Sequence, residues 1–129
     1  MHVQAQYLDG LRSVVTVGVH AVVVDPAPEE GGAGTGMSAP QLLVAALAAC
    51  ILAFIARSCQ LHDIPLKHLK VELDFTIASA PRRIGRIVAH VRMEPEPPEE
   101  VRRRLLAVAR RATLLNTLAC PPEITLQFE

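Results

Sequence analysis

The sequence has no tryptophan, one tyrosine and three phenylalanines. Its core must therefore be aliphatic, filled by Val, Leu, Ile and Ala. It also lacks net charge: thirteen basic residues balance thirteen acidic ones, so no overall field favours nucleic acid or an anionic membrane. No CxxC pair occurs, and His2, His20, His62, His68 and His90 are scattered, so neither a zinc site nor any other metal site is expected. Three cysteines, Cys50, Cys59 and Cys120, are too few and odd in number for a secreted disulfide framework. Residues 1–8 are polar and lack a charged segment leading into an apolar run. The expected compartment is the reducing cytoplasm. Internal repeats and long linkers are absent, and 129 residues suit one domain spanning 1–129 that buries its own core. The Gly-rich run GGAGTGMS has no P-loop Lys-Ser/Thr, and Glu29-Glu30 would repel a phosphate. No cofactor is expected.

What is present falls into hairpins and helices. Residues 3–7 alternate loosely, and Leu8-Asp9-Gly10 reads as a hairpin turn, since Asp-Gly tolerates positive φ. Residues 11–17 and 19–24 are β-branched strand candidates broken at Gly18. Asp25-Pro26 ends this meander, and residues 29–36 (EEGGAGTG) are a loop too glycine-rich to form an element. Residues 70–78 (KVELDFTIA) put Val71, Leu73, Phe75 and Ile77 on one face of a strand. After a turn at 79–82, residues 84–93 form the return strand. Pro98-Glu99-Glu100 opens a helix with acids at its positive end. Val101, Leu105, Val108 and Ala112 make its apolar stripe, while Arg103, Arg104, Arg110 and Arg111 make a face better read as solvated than as an anion site. Pro121-Pro122 precedes a last strand at 124–128. Hairpins segregated from helices predict an α+β fold with antiparallel sheets and the order β-β-β-α-β-β-α-β.

The longest helix dominates this plan. Ser38 caps it, with Ala39 and Pro40 in the first turn, where a missing N–H costs nothing. Residues 42–56 (LLVAALAACILAFIA) contain no polar side chain except the Cys50 thiol. A helix that is apolar all round is either enclosed by protein or embedded in lipid. Fifteen such residues fall short of the roughly 20 needed to span a bilayer, so the stretch from Gln41 to about Cys59 is expected to be buried. One small chain has little material to surround it, which predicts an intimate homodimer.

Cys50 is the candidate for chemistry. A thiol attacks as the thiolate, which requires a nearby cation or a helix N-terminus. About a dozen residues into its helix, Cys50 gains little from the dipole, so an ordinary packed cysteine is the competing reading. Cys59, nine residues on, lies about 180° around the helix and cannot pair with it within that helix. Cys59 reads as structural and Cys120, beside the Pro-Pro turn, as incidental.

The run Gly32-Ala33-Gly34-Thr35-Gly36-Met37-Ser38-Ala39-Pro40-Gln41-Leu42-Leu43, continuing through Ala45-Ala46-Leu47-Ala48-Ala49-Cys50, resembles the signature of the OsmC/Ohr family, the osmotically inducible and organic-hydroperoxide-resistance proteins. The likeness extends through the turn at 61–66, the following hairpin, and Asn116-Thr117-Leu118 with Pro121-Pro122-Glu123-Ile124, nearly the whole chain. It implies an OsmC-like interwoven homodimer with paired central helices and sites at the interface. It also implies a thiol peroxidase, peroxiredoxin-like, in which a thiolate at Cys50 attacks an organic hydroperoxide and becomes a sulfenic acid. By the same resemblance, Arg12 after the Asp9-Gly10 turn matches the arginine that stabilises the thiolate. The match is incomplete: Pro40 stands where a glutamate would hold that arginine, with Gln41 beside it. Thr113 stands where a second cysteine would close a disulfide, and Cys120 lies seven residues beyond.

Two functions follow as expectations. The first is an organic hydroperoxide reductase in oxidative-stress defence, of one-cysteine type, served by an external thiol reductant. The second is a non-catalytic dimer that binds a small apolar ligand in its interface pocket, with Cys50 as packing.

Overall fold

A computed structural model describes residues 1–129. The chain forms two compact units, Met1–Ala45 and Ala46–Glu129. Helix α1 (Ala39–Leu61) begins in the first and continues into the second.

In the first unit, β1 (Gln4–Asp9), β2 (Arg12–Val17) and β3 (His20–Val24) form an antiparallel meander in that order. Asp9 pairs with Arg12 and Val17 with His20, leaving two-residue turns. Gly10 (φ 50°) and Gly18 (φ 58°) supply the left-handed backbone that closes them. The sequence places both turns correctly. Tyr7 pairs with Ser13 and Asp9 with Arg12, so Leu8 is an unpaired bulge.

The Gly-rich loop is more ordered than its composition predicts. It opens with a 3-10 turn, Pro28–Glu30, closed by left-handed Gly31 (φ 91°). Beyond it the buried Asp25 carboxylate accepts hydrogen bonds from the Ala33 N–H (3.2 Å), the Thr35 N–H (3.0 Å) and the Thr35 hydroxyl (2.7 Å). Gly32 is required for contact: a Cβ there would lie 2.0 Å from the Pro26 carbonyl oxygen. The loop is flexible as an isolated peptide, and a carboxylate on the neighbouring strand end removes that freedom.

In the second unit, β4 (His68–Ala78) and β5 (Arg83–Glu94) form a long antiparallel hairpin. The pairs Leu69–Met93, Val71–Val91 and Phe75–Ile87 follow from the period-two pattern. Gly85 is the unpaired residue of a bulge, where a Cβ would lie 2.6 Å from that of Ala78. The core joins Leu47, Ile51, Ile55 and Cys59 of α1 to Leu105 and Ala109 of α2 (Glu99–Ala109) and to Ala112. Leu69, Val71, Leu73, Ile87, Val91 and Met93 pack against that cluster from the hairpin. The arginines of α2 are exposed, and Arg102 and Arg103 pair with Glu96 and Glu99. This is the solvated face that the sequence predicts.

Two expectations need correction. The helix predicted to run to Ala112 ends at Ala109, and a separate helix, α3 (Thr113–Ala119), follows. The last strand does not form: residues 121–129 have no regular structure, and Ile124, Leu126 and Phe128 are 76%, 92% and 104% exposed. Propensity is sufficient for a strand candidate, but a strand exists only with a ladder partner, and the single chain offers none here. The observed order is therefore β-β-β-α-β-β-α-α, still α+β with antiparallel sheets and a long central helix.

As the small size of the chain leads one to expect, α1 is not enclosed by its own chain. Val44, Leu47, Ile51, Ile55, Ser58 and Cys59 are buried, a stripe at three- and four-residue steps. Ala45, Ala46, Ala49, Leu52 and Ala53 are exposed, and only 33% of its most apolar window is covered. With 23 residues the helix is long and apolar enough to cross a membrane, so the shorter apolar run misjudges its length. The seam it makes with α2 and the hairpin supports a protein core.

Candidate active site

Cys50 projects from α1 within the second unit. It is half-buried and packs against the aliphatic cluster, with Leu47 and Ile51 buried on either side of it in sequence. The helix fixes its backbone, and the residue is partly exposed. All three thiols are free, and they differ sharply. Cys59 is 2% exposed inside the cluster, and that burial pushes its thiol above the ordinary cysteine value. It packs in the core beside Ile55 on the same helical stripe. Cys120 is exposed at the end of α3, where its N–H donates to the Asn116 carbonyl (2.8 Å).

Arg12 opens β2 in the first unit. Its Nη2 and Nε donate to the two carboxylate oxygens of Asp9 at 2.6 and 3.1 Å. This fork closes the hairpin turn from the outside. The hydrogen bond and charge of Asp9 hold the guanidinium more firmly in its charged form, and the Asp25 charge adds to this. Arg12 and Cys50 thus belong to different units, and within its own unit Arg12 is committed to Asp9.

The positions that depart from the expected pattern are also occupied by local work. Ser38 and Gln41 form a reciprocal capping box at the start of α1. The Ser38 N–H donates to Gln41 Oε1 (2.9 Å), and the Gln41 N–H donates to Ser38 Oγ (3.3 Å). The Gln41 amide oxygen is therefore engaged with the backbone. Pro40 sits in the first turn, where its missing N–H costs no helical bond. Thr113 is the first residue of α3, and its carbonyl accepts the Thr117 hydroxyl (2.9 Å). Cys120 stands at the opposite end of that helix, about 10 Å further along the axis.

Sequence reasoning missed Asp25. Its carboxyl lies below the usual carboxylate range because the Thr35 hydroxyl, then the Thr35 N–H and the Ala33 N–H, donate to it. The available signal was an Asp at a strand end just before a loop rich in Gly and Thr, the setting in which a carboxylate collects backbone N–H groups. No cluster of His, Cys, Asp and Glu could hold a metal ion. The second unit has a groove of ≈ 610 Å³ lined by Ile55, by residues 89–94 of β5 and by Arg102, Leu105 and Leu106 of α2. No cysteine borders it.

A sequence model for OsmC-like protein matches residues 31–127. No curated protein matches the chain. Solved structures do. A Psychrobacter arcticus 273-4 protein assigned to the osmotic-stress and detoxification response has a TM-score of 0.84 at 19% identity, covering 89% of this chain and 85% of its own. The organic hydroperoxide resistance protein OsmC of Legionella pneumophila, also called a predicted redox protein, has a TM-score of 0.74 at 19% identity, covering 91% and 87%. A Vibrio cholerae O1 biovar eltor protein assigned to organic hydroperoxide resistance, with captopril bound in one of its active sites, has a TM-score of 0.70 at 20% identity, covering 95% and 86%. At these identities the likeness establishes the fold.

Proposed function

The chain belongs to the family of OsmC-like proteins, and on that footing we propose that it reduces organic hydroperoxides through Cys50, with an external thiol as reductant. The observation that carries this reading is the sorting of the thiols: Cys50 alone is both anchored in a helix and partly accessible. The hydroperoxide-resistance assignments of the Legionella and Vibrio relatives support the substrate class.

In the proposed reaction the Cys50 thiolate attacks the outer oxygen of the O–O bond. The sulfur becomes a sulfenic acid, and the alkoxide leaves and takes a proton to become the alcohol. A dithiol reductant then displaces water to give a mixed disulfide, and its second sulfur releases Cys50. Thr113 cannot form a disulfide, so the chemistry is of one-cysteine type. Arg12 would stabilise the thiolate after exchanging its Asp9 partner. The working unit is a homodimer, a reading supported by the exposed apolar side of α1.

A second reading keeps the fold and drops the chemistry: a dimer binding a small apolar molecule. It is favoured by the closed Arg12–Asp9 fork, the engaged Gln41 and the missing second cysteine. The test is consumption of an alkyl hydroperoxide in the presence of a dithiol. Activity lost in Cys50→Ser and kept in Cys59→Ser supports the reductase. Absence of turnover, with thermal stabilisation by apolar ligands that survives Cys50→Ala, supports the binder instead.

A further inference from the structure

Arg12 is the only Lys or Arg before Arg57, and it shares the first unit with four acids, Asp9, Asp25, Glu29 and Glu30. Two of those carboxylates act on this single cation, in different ways. Asp9 takes it in a fork: Nη2 and Nε donate to the two carboxylate oxygens at 2.6 and 3.1 Å. Asp25 acts on it through charge alone. The Asp25 oxygens already accept the Ala33 N–H, the Thr35 N–H and the Thr35 hydroxyl, so they are committed to the loop.

The hairpin places the fork. Asp9 and Arg12 are the directly opposed pair that closes the Gly10-Leu11 turn. The backbone on both sides is therefore fixed by the strands, and only side-chain freedom is lost in forming the pair. It is nevertheless a surface pair, with the Arg12 and Asp9 side chains 36% and 66% exposed. Exposed ion pairs are worth little and exchange with solvent. This one is strong enough to bias Arg12 and weak enough to release it.

Cys50 has no cation within its own surroundings. It packs against an apolar cluster, and as the twelfth residue of α1 it stands too far from the helix N-terminus to gain from the dipole. On the reading proposed above, its thiolate draws on Arg12.

We propose that Asp9 is a latch on Arg12: its carboxylate competes with the Cys50 thiolate for the guanidinium and so sets how much of the protein has an activated thiol. Asp9 is a positioning residue that acts through Arg12. The proposal rests on the reductase reading and adds to it a group that restrains the chemistry. Its signature is the sign of the effect. Loss of a merely structural ion pair lowers activity, whereas loss of the latch raises the reactivity of Cys50.

The experiment follows the pH dependence of Cys50 alkylation by iodoacetamide, read by mass spectrometry of the Cys50 peptide. It compares wild type, Asp9→Asn, Arg12→Ala and the double variant. Asn keeps the size and polarity of Asp at the strand end; Asp9→Ser is the second variant if far-UV circular dichroism shows that Asp9→Asn does not fold. Expected in Asp9→Asn is a lower midpoint, with a rate below that midpoint about two- to fivefold above wild type, the equilibrium factor of an exposed ion pair. In the Arg12→Ala background, Asp9→Asn should change nothing. An unchanged or raised midpoint in Asp9→Asn, or the same shift without Arg12, overturns the latch. Turnover of an alkyl hydroperoxide by wild type reports separately on the reductase. Its absence beside the expected shifts removes the reductase and keeps the latch; its presence beside unchanged midpoints does the reverse.

Discussion

Ile55→Ala isolates what the α1–α2 seam contributes. Ile55 is fully enclosed and sits between Ile51 and Cys59 on the buried stripe. The substitution removes three carbons. At about 0.8 kcal/mol per buried CH2 the transfer loss is about 2.4 kcal/mol. Incomplete collapse of the cavity should raise it to about 3–4 kcal/mol, within the 2–5 kcal/mol typical of Ile→Ala changes. Leu52, three residues earlier, is 36% exposed in the single chain. There Leu52→Ala should cost less than about 1 kcal/mol, and any larger cost should grow with protein concentration as a partner covers that face. Urea titrations at two protein concentrations, one near and one far above dimer dissociation, read both effects. Ile55→Ala should lower the midpoint at constant slope at either concentration and reduce the Tm by about 10–15 °C. A loss below about 1 kcal/mol, or a smaller loss than Leu52→Ala at low concentration, would refute the assignment of the core to this seam.

Asp25 gives a dependence on acid. Its folded carboxyl is held below the ordinary range, so its contribution is complete above the unfolded value of about 3.9 and is lost as pH falls through the lower folded value. Asp25→Asn should therefore be less stable than wild type at pH 6, with the difference shrinking as pH falls below the unfolded value; parallel stability profiles would discard this account. Gly32→Ala should lower the Tm more than Gly10→Ala, because the first meets the Pro26 backbone at 2.0 Å while the second meets nothing within 4 Å and bears only the strain of φ 50°, about 1–2 kcal/mol. Calorimetry decides the order, and the reverse order counts against the loop geometry. With a thiol-specific reagent, Cys120 should react fastest and Cys59 only after denaturant is added; equal rates at Cys59 and Cys120 would contradict the burial of Cys59.

Local chemistry was legible in the sequence wherever it is local in space. Gly10 and Gly18 announce their turns, Ser38 announces the start of α1, and the alternation from Val71 to Phe75 gives the hairpin its inner face. Ala112 shows where legibility stops. It continues the apolar stripe of α2 in period, but the chain breaks after Ala109, and Ala112 enters the same core as the residue before α3. The loop was misjudged for a similar reason: its order comes from Asp25, eight to ten residues back, and the only signal of that pin is an Asp at the strand end ahead of it. At the site, the identity of Cys50 came from a family resemblance, and its half-buried setting from the structure. That Arg12 and Gln41 already have partners, Asp9 and Ser38, could be read from neither pattern nor propensity.

The Asp25 pin also bears on the order in which the chain acquires structure. Everything that organises the first unit is close in sequence: two-residue turns, adjacent strands, and a carboxylate reaching residues 33 and 35. The core of the second unit joins Ile55 to Leu105, fifty residues apart. Contacts of short separation close at little entropic cost, whereas distant ones must wait for a long loop to be confined. The meander and its pinned loop are thus the part that can form at low entropic cost, while the α1–α2 seam closes a loop of fifty residues that includes the whole β4–β5 hairpin.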